Sequence, residues 1–109
     1  MNLNTYQKKA LSTAVYPRRG ANIIYPLLGL SGEVGEVCGK MKKVIRDNRG
    51  VLSEERRLEM VDELGDCLWY VAVLAYELSV TLDELAHINV RKLASRKRRG
   101  VLKGVGDKR

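Results

Sequence analysis

The sequence predicts an all-α fold, a four-helix bundle, and three features carry that prediction. Apolar residues recur at three- and four-residue intervals over four separate stretches, and no stretch alternates apolar with polar at period two. Capping residues, prolines and glycines fall between those stretches, which leaves only short connections.

The first helix is expected to be capped by Asn4 and to run through Tyr6, Ala10 and Ala14. Pro17 closes it, because proline disfavours helical geometry in the residue before it, and Arg18, Arg19 and Gly20 then form a loop. Pro26 suits the first turn of the second helix, whose stripe is Leu30, Val34, Val37, Met41 and Val44 until Asp47-Asn48-Arg49-Gly50 breaks it. Ser53 followed by Glu54 and Glu55 starts a third helix, with a hydroxyl cap and acids near the positive end of the helix dipole. Leu64, Leu68, Val71, Ala75 and Leu78 form its stripe. Thr81-Leu82-Asp83-Glu84 reads as a capping box for the fourth helix, which Leu85, Ile88 and Leu93 continue and Gly100 ends.

With 109 residues, 45% hydrophobic and 30% charged, residues 1–109 make one globular domain rather than a disordered chain. A domain of this size buries only roughly two thirds of its unfolded surface, so self-association would enlarge a modest core. No apolar run nears the ~20 residues that span a bilayer, and Met1-Asn2-Leu3-Asn4 lacks a signal-peptide layout; a cytoplasmic location without membrane partners is expected. Cys38 and Cys67 lie in helical stretches without zinc-site spacing and are expected to be small buried thiols.

The net charge of +7 is localised. Residues 91–109 hold nine basic residues and one acid, Asp107, whereas the first ninety hold eleven basic and twelve acidic residues. A neutral body with a basic C-terminal tail, about 97–109, suits either a polyanion or the phosphates of a small substrate.

Two acidic pairs carry the chemistry. Glu33/Glu36 and Glu63/Asp66 are each spaced three apart, so each pair projects from one helix face. Among the four, only Glu36 has a basic residue one turn away on its own helix, Lys40. Unpaired like charges at this spacing oppose helix formation unless a cation sits among them, and oxygen-only ligands favour Mg²⁺ first and Mn²⁺ next. Solvated surface acids are the plainer reading. Gly32, Gly35, Gly39 and Gly65 interrupt the same helices at about 1 kcal/mol each relative to alanine; close helix approach and room for a ligand are the two compensations to weigh. Trp69 and Tyr70 follow the second pair, and Trp69 either stacks on a base or belongs to the core. His87 closes a Glu-x-x-His unit with Glu84, but a di-iron bundle needs a second such unit, which is missing.

The run from Tyr25 to Lys43, with Glu33 and Glu36, followed by Glu63-Leu-Gly-Asp-Cys-Leu-Trp-Tyr70, resembles the MazG-like family of all-α nucleotide pyrophosphohydrolases. The resemblance continues through Asn89–Arg96 and closes at Gly104-Val-Gly-Asp-Lys-Arg109. Its metal motif pairs two adjacent glutamates with a third three residues on, then Glu-x-x-Asp on the next helix. Here Gly32 replaces the first glutamate, and Glu33, Glu36, Glu63 and Asp66 remain.

The resemblance implies Mg²⁺-dependent cleavage of standard or modified (deoxy)nucleoside triphosphates to monophosphate and pyrophosphate, with all four acids catalytic and metal-binding. It implies a homodimer or homotetramer with sites near subunit contacts. Glu36 or Glu33 is the candidate general base. Lys43, Lys92, Arg96 and Arg109 fall in matching segments as phosphate ligands, and Asn89 shares a helix face with Lys92 and Arg96; Trp69 completes the expected substrate set. Two rival readings are a basic-tailed nucleic-acid-binding protein, which leaves the acid pairs unexplained, and a non-catalytic nucleotide-binding regulator.

Overall fold

In a computed structural model that describes residues 1–109, the chain forms four helices and no strand: α1 (Leu3–Leu11), α2 (Ile24–Asn48), α3 (Glu54–Glu77) and α4 (Leu82–Arg98). Each boundary has a local cause. Ser53 Oγ accepts the Arg56 N–H and Thr81 Oγ1 accepts the Glu84 N–H, with Glu84 reaching back to the Thr81 N–H, so both expected caps are made. Arg49 in the left-handed region and Gly50 at φ +78° end α2, with the Gly50 N–H donated to the Val44 carbonyl.

α1 differs from expectation at both ends. Asn2, not Asn4, is the cap, and its side chain accepts the Thr5 N–H at 2.8 Å. Asn4 instead accepts the Asp83 N–H, tying α1 to the start of α4. The helix stops at Leu11, before Ala14, because the hydroxyls of Ser12 and Thr13 donate to the carbonyls of Lys9 and Ala10 and the chain tightens into turns. Pro17 lies well past that end.

α2 and α3 are joined by five residues, 49–53, and form a long antiparallel hairpin. α1 and α4 pack on α3, and α4 makes no contact with α2. Two small clusters form the core: Ala10, Ala72 and Leu82, and Ala14, Tyr16 and Val73, with Trp69 packed against both. The buried Gln7 staples three helices, its amide donating to the carbonyls of Ala72 and Val80 and accepting the Leu82 N–H. Glu77 pins the α1–α2 loop by accepting from the Tyr16 hydroxyl at 2.6 Å, the Gly20 N–H at 2.8 Å and the Asn22 N–H at 3.3 Å.

Parts of the expected apolar stripes are not covered by this chain. Leu64 and Leu68 of α3 and Leu78 just past its end are exposed, as are Val34 and Met41 of α2, because α1 and α4 cover only the face that carries Ala72, Val73 and Ala75. Eleven of 109 residues are buried. Cys38 is exposed rather than buried, and Cys67 is half-buried; both are free thiols.

Candidate functional site

Pairing α2 against α3 brings Glu33 to face Glu63 and Asp66. One carboxylate oxygen from each lies within 4.8 Å of the others. Glu36, one turn further along α2, is exposed and outside this triad, although its charge still bears on Glu33. Lys40 crosses to α3 and lies 3.8 Å from Glu63. The helical neighbours suggested Glu36 for that lysine; the cross-helix pairing is a tertiary contact.

Burial pushes the Glu33 carboxyl above its ordinary range, and a hydrogen bond with Glu63 and the charges of Asp66, Glu63 and Glu36 push it the same way. The same field reaches its neighbours. Burial raises the Cys67 thiol, with Glu33, Asp66 and Glu63 adding to it. Burial raises Tyr70, with further contributions from Tyr25, Glu33 and Asp66, and Tyr6 is raised by burial and then by Asp66. One lysine at 3.8 Å leaves the triad short of positive charge.

The donor set fits a hard divalent cation. All three donors are carboxylate oxygens, and neighbouring and opposite ligands around Mg²⁺ at 2.0–2.1 Å are about 3 to 4 Å apart, so rotamer-scale movement closes the triad. Mg²⁺ keeps waters and takes phosphate oxygens, which calls for an open side. That side is present. A groove of about 330 Å³ adjoins the triad, lined by Thr13, Glu33, Asp66, Trp69 and Tyr70.

Trp69 both packs on the two core clusters and lines the groove, so core and groove are not exclusive for it. Its ring meets Tyr70 edge-on at 4.9 Å between centroids. Tyr70 in turn lies so close over Gly29 that any Cβ there would collide with its ring. Among the helix glycines Gly29 is the one of close approach; Gly32, Gly35, Gly39 and Gly65 face open space within this chain. A larger hollow of about 410 Å³ lies between α1 and the α3–α4 junction, but its one carboxylate, Glu84, is committed to the capping box.

The basic residues singled out from sequence are not gathered at the triad. Lys43 helps to lower the carboxyls of Asp47 and Glu59, towards the loop end of the hairpin. Asn89 is exposed on α4. Lys92 and the buried Arg96 lie 3.6 and 3.4 Å from Asp107, and Arg96 also donates to the Asp107 carbonyl at 2.6 Å. Arg109 folds the tail, donating to the carbonyls of Val101, Leu102 and Gly106. None of the charges that shift Glu33 comes from α4 or the tail. Exposed His87 pairs with Asp83 at 3.4 Å, one turn back on α4.

Sequence reasoning missed Thr13. Its hydroxyl accepts the Trp69 indole N–H at 2.8 Å, and nothing in the local sequence marks a threonine just past a helix end as a partner for residue 69.

The gene 37 protein of Mycobacterium phage L5 is 45% identical over 114 aligned residues, with both chains covered in full. No solved structure matches the chain. Residues 25–101, which hold all four acids, Trp69 and the whole of α4, match the MazG nucleotide pyrophosphohydrolase domain, and the chain belongs to that family.

Proposed function

We propose that this protein hydrolyses ribo- or deoxynucleoside triphosphates between the α and β phosphates, releasing monophosphate and pyrophosphate. Glu33, Glu36, Glu63 and Asp66 would hold Mg²⁺, with Mn²⁺ as a substitute. The observation that carries this reading is the convergence of Glu33, Glu63 and Asp66 from two helices, beside an open aromatic-walled groove, in a chain of this family. When bound, the cation supplies Lewis-acid chemistry, neutralising phosphate oxygens and acidifying water.

The chain's own groups divide the remaining work. Glu36, outside the tight triad, takes the proton of the attacking water, with Glu33 as the alternative base. Trp69 forms the apolar wall for the nucleoside. Lys43, Asn89, Lys92, Arg96 and Arg109 serve the phosphates. Lys92 is only loosely paired and exposed, so it keeps donor capacity, while the buried Arg96 and Arg109 act through the charge they bring to the tail.

Because α4 stands apart from α2, the basic groups of one copy would reach the carboxylates of another in a homodimer or homotetramer. Exposed Leu27, Leu28, Val34 and Ile45 on α2, with Leu58, Val61, Leu64 and Leu68 on α3, support such an assembly. No helix is long and apolar enough to cross a membrane, and a cytoplasmic location is proposed.

The test is incubation with each common ribo- and deoxynucleoside triphosphate and Mg²⁺, resolving the four possible phosphate products. Monophosphate and pyrophosphate, lost with chelator and in Glu63→Gln, are expected. Diphosphate and phosphate would place the cut elsewhere, and no product from any triphosphate would overturn the reading. Arg91, Lys97, Arg98, Lys103 and Lys108 are exposed and have no acidic partner, which favours polyanion binding as a second reading; a gel shift over a salt series tests it.

A further inference from the structure

We infer that Thr13 is a positioning residue for the nucleoside wall: its hydroxyl fixes the plane of Trp69 and thereby sets substrate affinity. The inference rests on the reading of the groove given above. Thr13 Oγ1 donates its single proton to the Ala10 carbonyl at 2.8 Å. Its lone pairs are therefore what it offers the groove, and indole Nε1 is a donor only. The 2.8 Å bond from Trp69 to Thr13 accordingly has one polarity and no alternative arrangement.

The indole is also held from its other neighbours. Tyr70 meets it edge-on, and Tyr70 is itself seated over Gly29 of α2. Thr13 just past α1 and Tyr70 on α3, itself seated on α2, thus hold one ring from two sides, and that ring lines the groove beside Glu33 and Asp66. Trp69 follows Asp66 by three residues, on the same face of α3, so a tilt of the indole changes the groove next to a carboxylate of the triad. The bond spans 56 residues of chain and ends on an exposed threonine, whose side chain is otherwise spent on its own helix end. A purely structural cap needs only the Ala10 contact.

Trp69 is the chain's only tryptophan, so it supplies a single indole N–H resonance. The experiment compares wild type, Thr13→Val, which keeps shape but removes the acceptor, and Thr13→Ser, which restores it. The indole resonance is expected to move in Thr13→Val and to return in Thr13→Ser. In Mg²⁺-supported turnover of the best nucleoside triphosphate, KM should rise about two- to tenfold in Thr13→Val, the span of one hydrogen bond, with kcat nearly unchanged. Thr13→Ser should match wild type in both.

An unmoved resonance, or a moved resonance with unchanged KM, would overturn the inference while leaving the activity standing. A KM defect that Thr13→Ser does not rescue would also overturn it. Wild-type protein that turns over no triphosphate would instead remove the proposed function, and this inference with it.

Discussion

Glu33, Glu63 and Asp66 oppose the fold unless something positive joins them. Burial and the neighbouring acids raise the Glu33 carboxyl, so the folded chain holds that proton more tightly than the unfolded chain does. Its stabilising contribution in metal-free protein is therefore complete below the ordinary carboxylate range and is lost as pH rises through the raised value. Melting temperatures of chelator-treated protein across that range should show the decline. Added Mg²⁺ should restore stability above it, and Glu63→Gln should blunt the response. Supporting residues around a metal typically cost 10- to 100-fold when lost, so removing a ligand itself should lower activity at least about 100-fold in Glu63→Gln or Asp66→Asn, with the helical circular dichroism spectrum unchanged.

The opposite sign holds at Glu77. Burial pushes it up, but hydrogen bonds from Tyr16, Gly20 and Asn22, with the charge of Arg19, outweigh that and hold it low. Its contribution to stability is present above the ordinary carboxylate range and is lost as pH falls through the lowered value. Glu77→Gln should cost about 2 kcal/mol near neutral pH, the scale of hydrogen bonds to a charged group, and should flatten the acid limb of a melting-temperature profile.

At the scale of elements, what was legible in the sequence was local. The caps at Ser53 and Thr81 were readable because a cap is decided within four residues, whereas of the two i,i+3 acid pairs only Glu63 and Asp66 stay together in the triad, Glu33 joining it without Glu36. Asn2 against Asn4 was not readable, since both are sound caps and only the start of α4, supplying the Asp83 N–H, decides which side chain is free. The Lys40–Glu63 crossing, the Glu77 anchor and Thr13 were likewise hidden, because each joins groups far apart in sequence. The basic residues of α4 and the tail were legible as charge but not as position.

Gln7 shows how much such distant joints matter. Gln7→Ala would leave the buried Leu82 N–H without its partner and withdraw a donor from the carbonyls of Ala72 and Val80; a loss of about 2 to 3 kcal/mol is expected in chemical denaturation. Thr81→Ala, which removes only a local cap, should cost about 1 kcal/mol.

For the whole molecule, few residues are buried and apolar residues along α2 and α3 are uncovered, although the N-termini of α1, α3 and α4 are well capped. Sedimentation should give a mass that is a multiple of 12.3 kDa, and Leu64→Glu with Leu68→Glu should reduce it towards one chain. A single 12.3 kDa species in wild type would contradict assembly through these faces.

The divalent-cation site proposed for the acids of α2 and α3 can be tested by Mn²⁺ titration followed by electron paramagnetic resonance. The spectrum of free Mn²⁺ is predicted to be suppressed by wild-type protein, to reappear on competition with excess Mg²⁺, and to persist from the outset with Glu63→Gln. Equal suppression by the wild type and the variant, or none by either, would contradict the site.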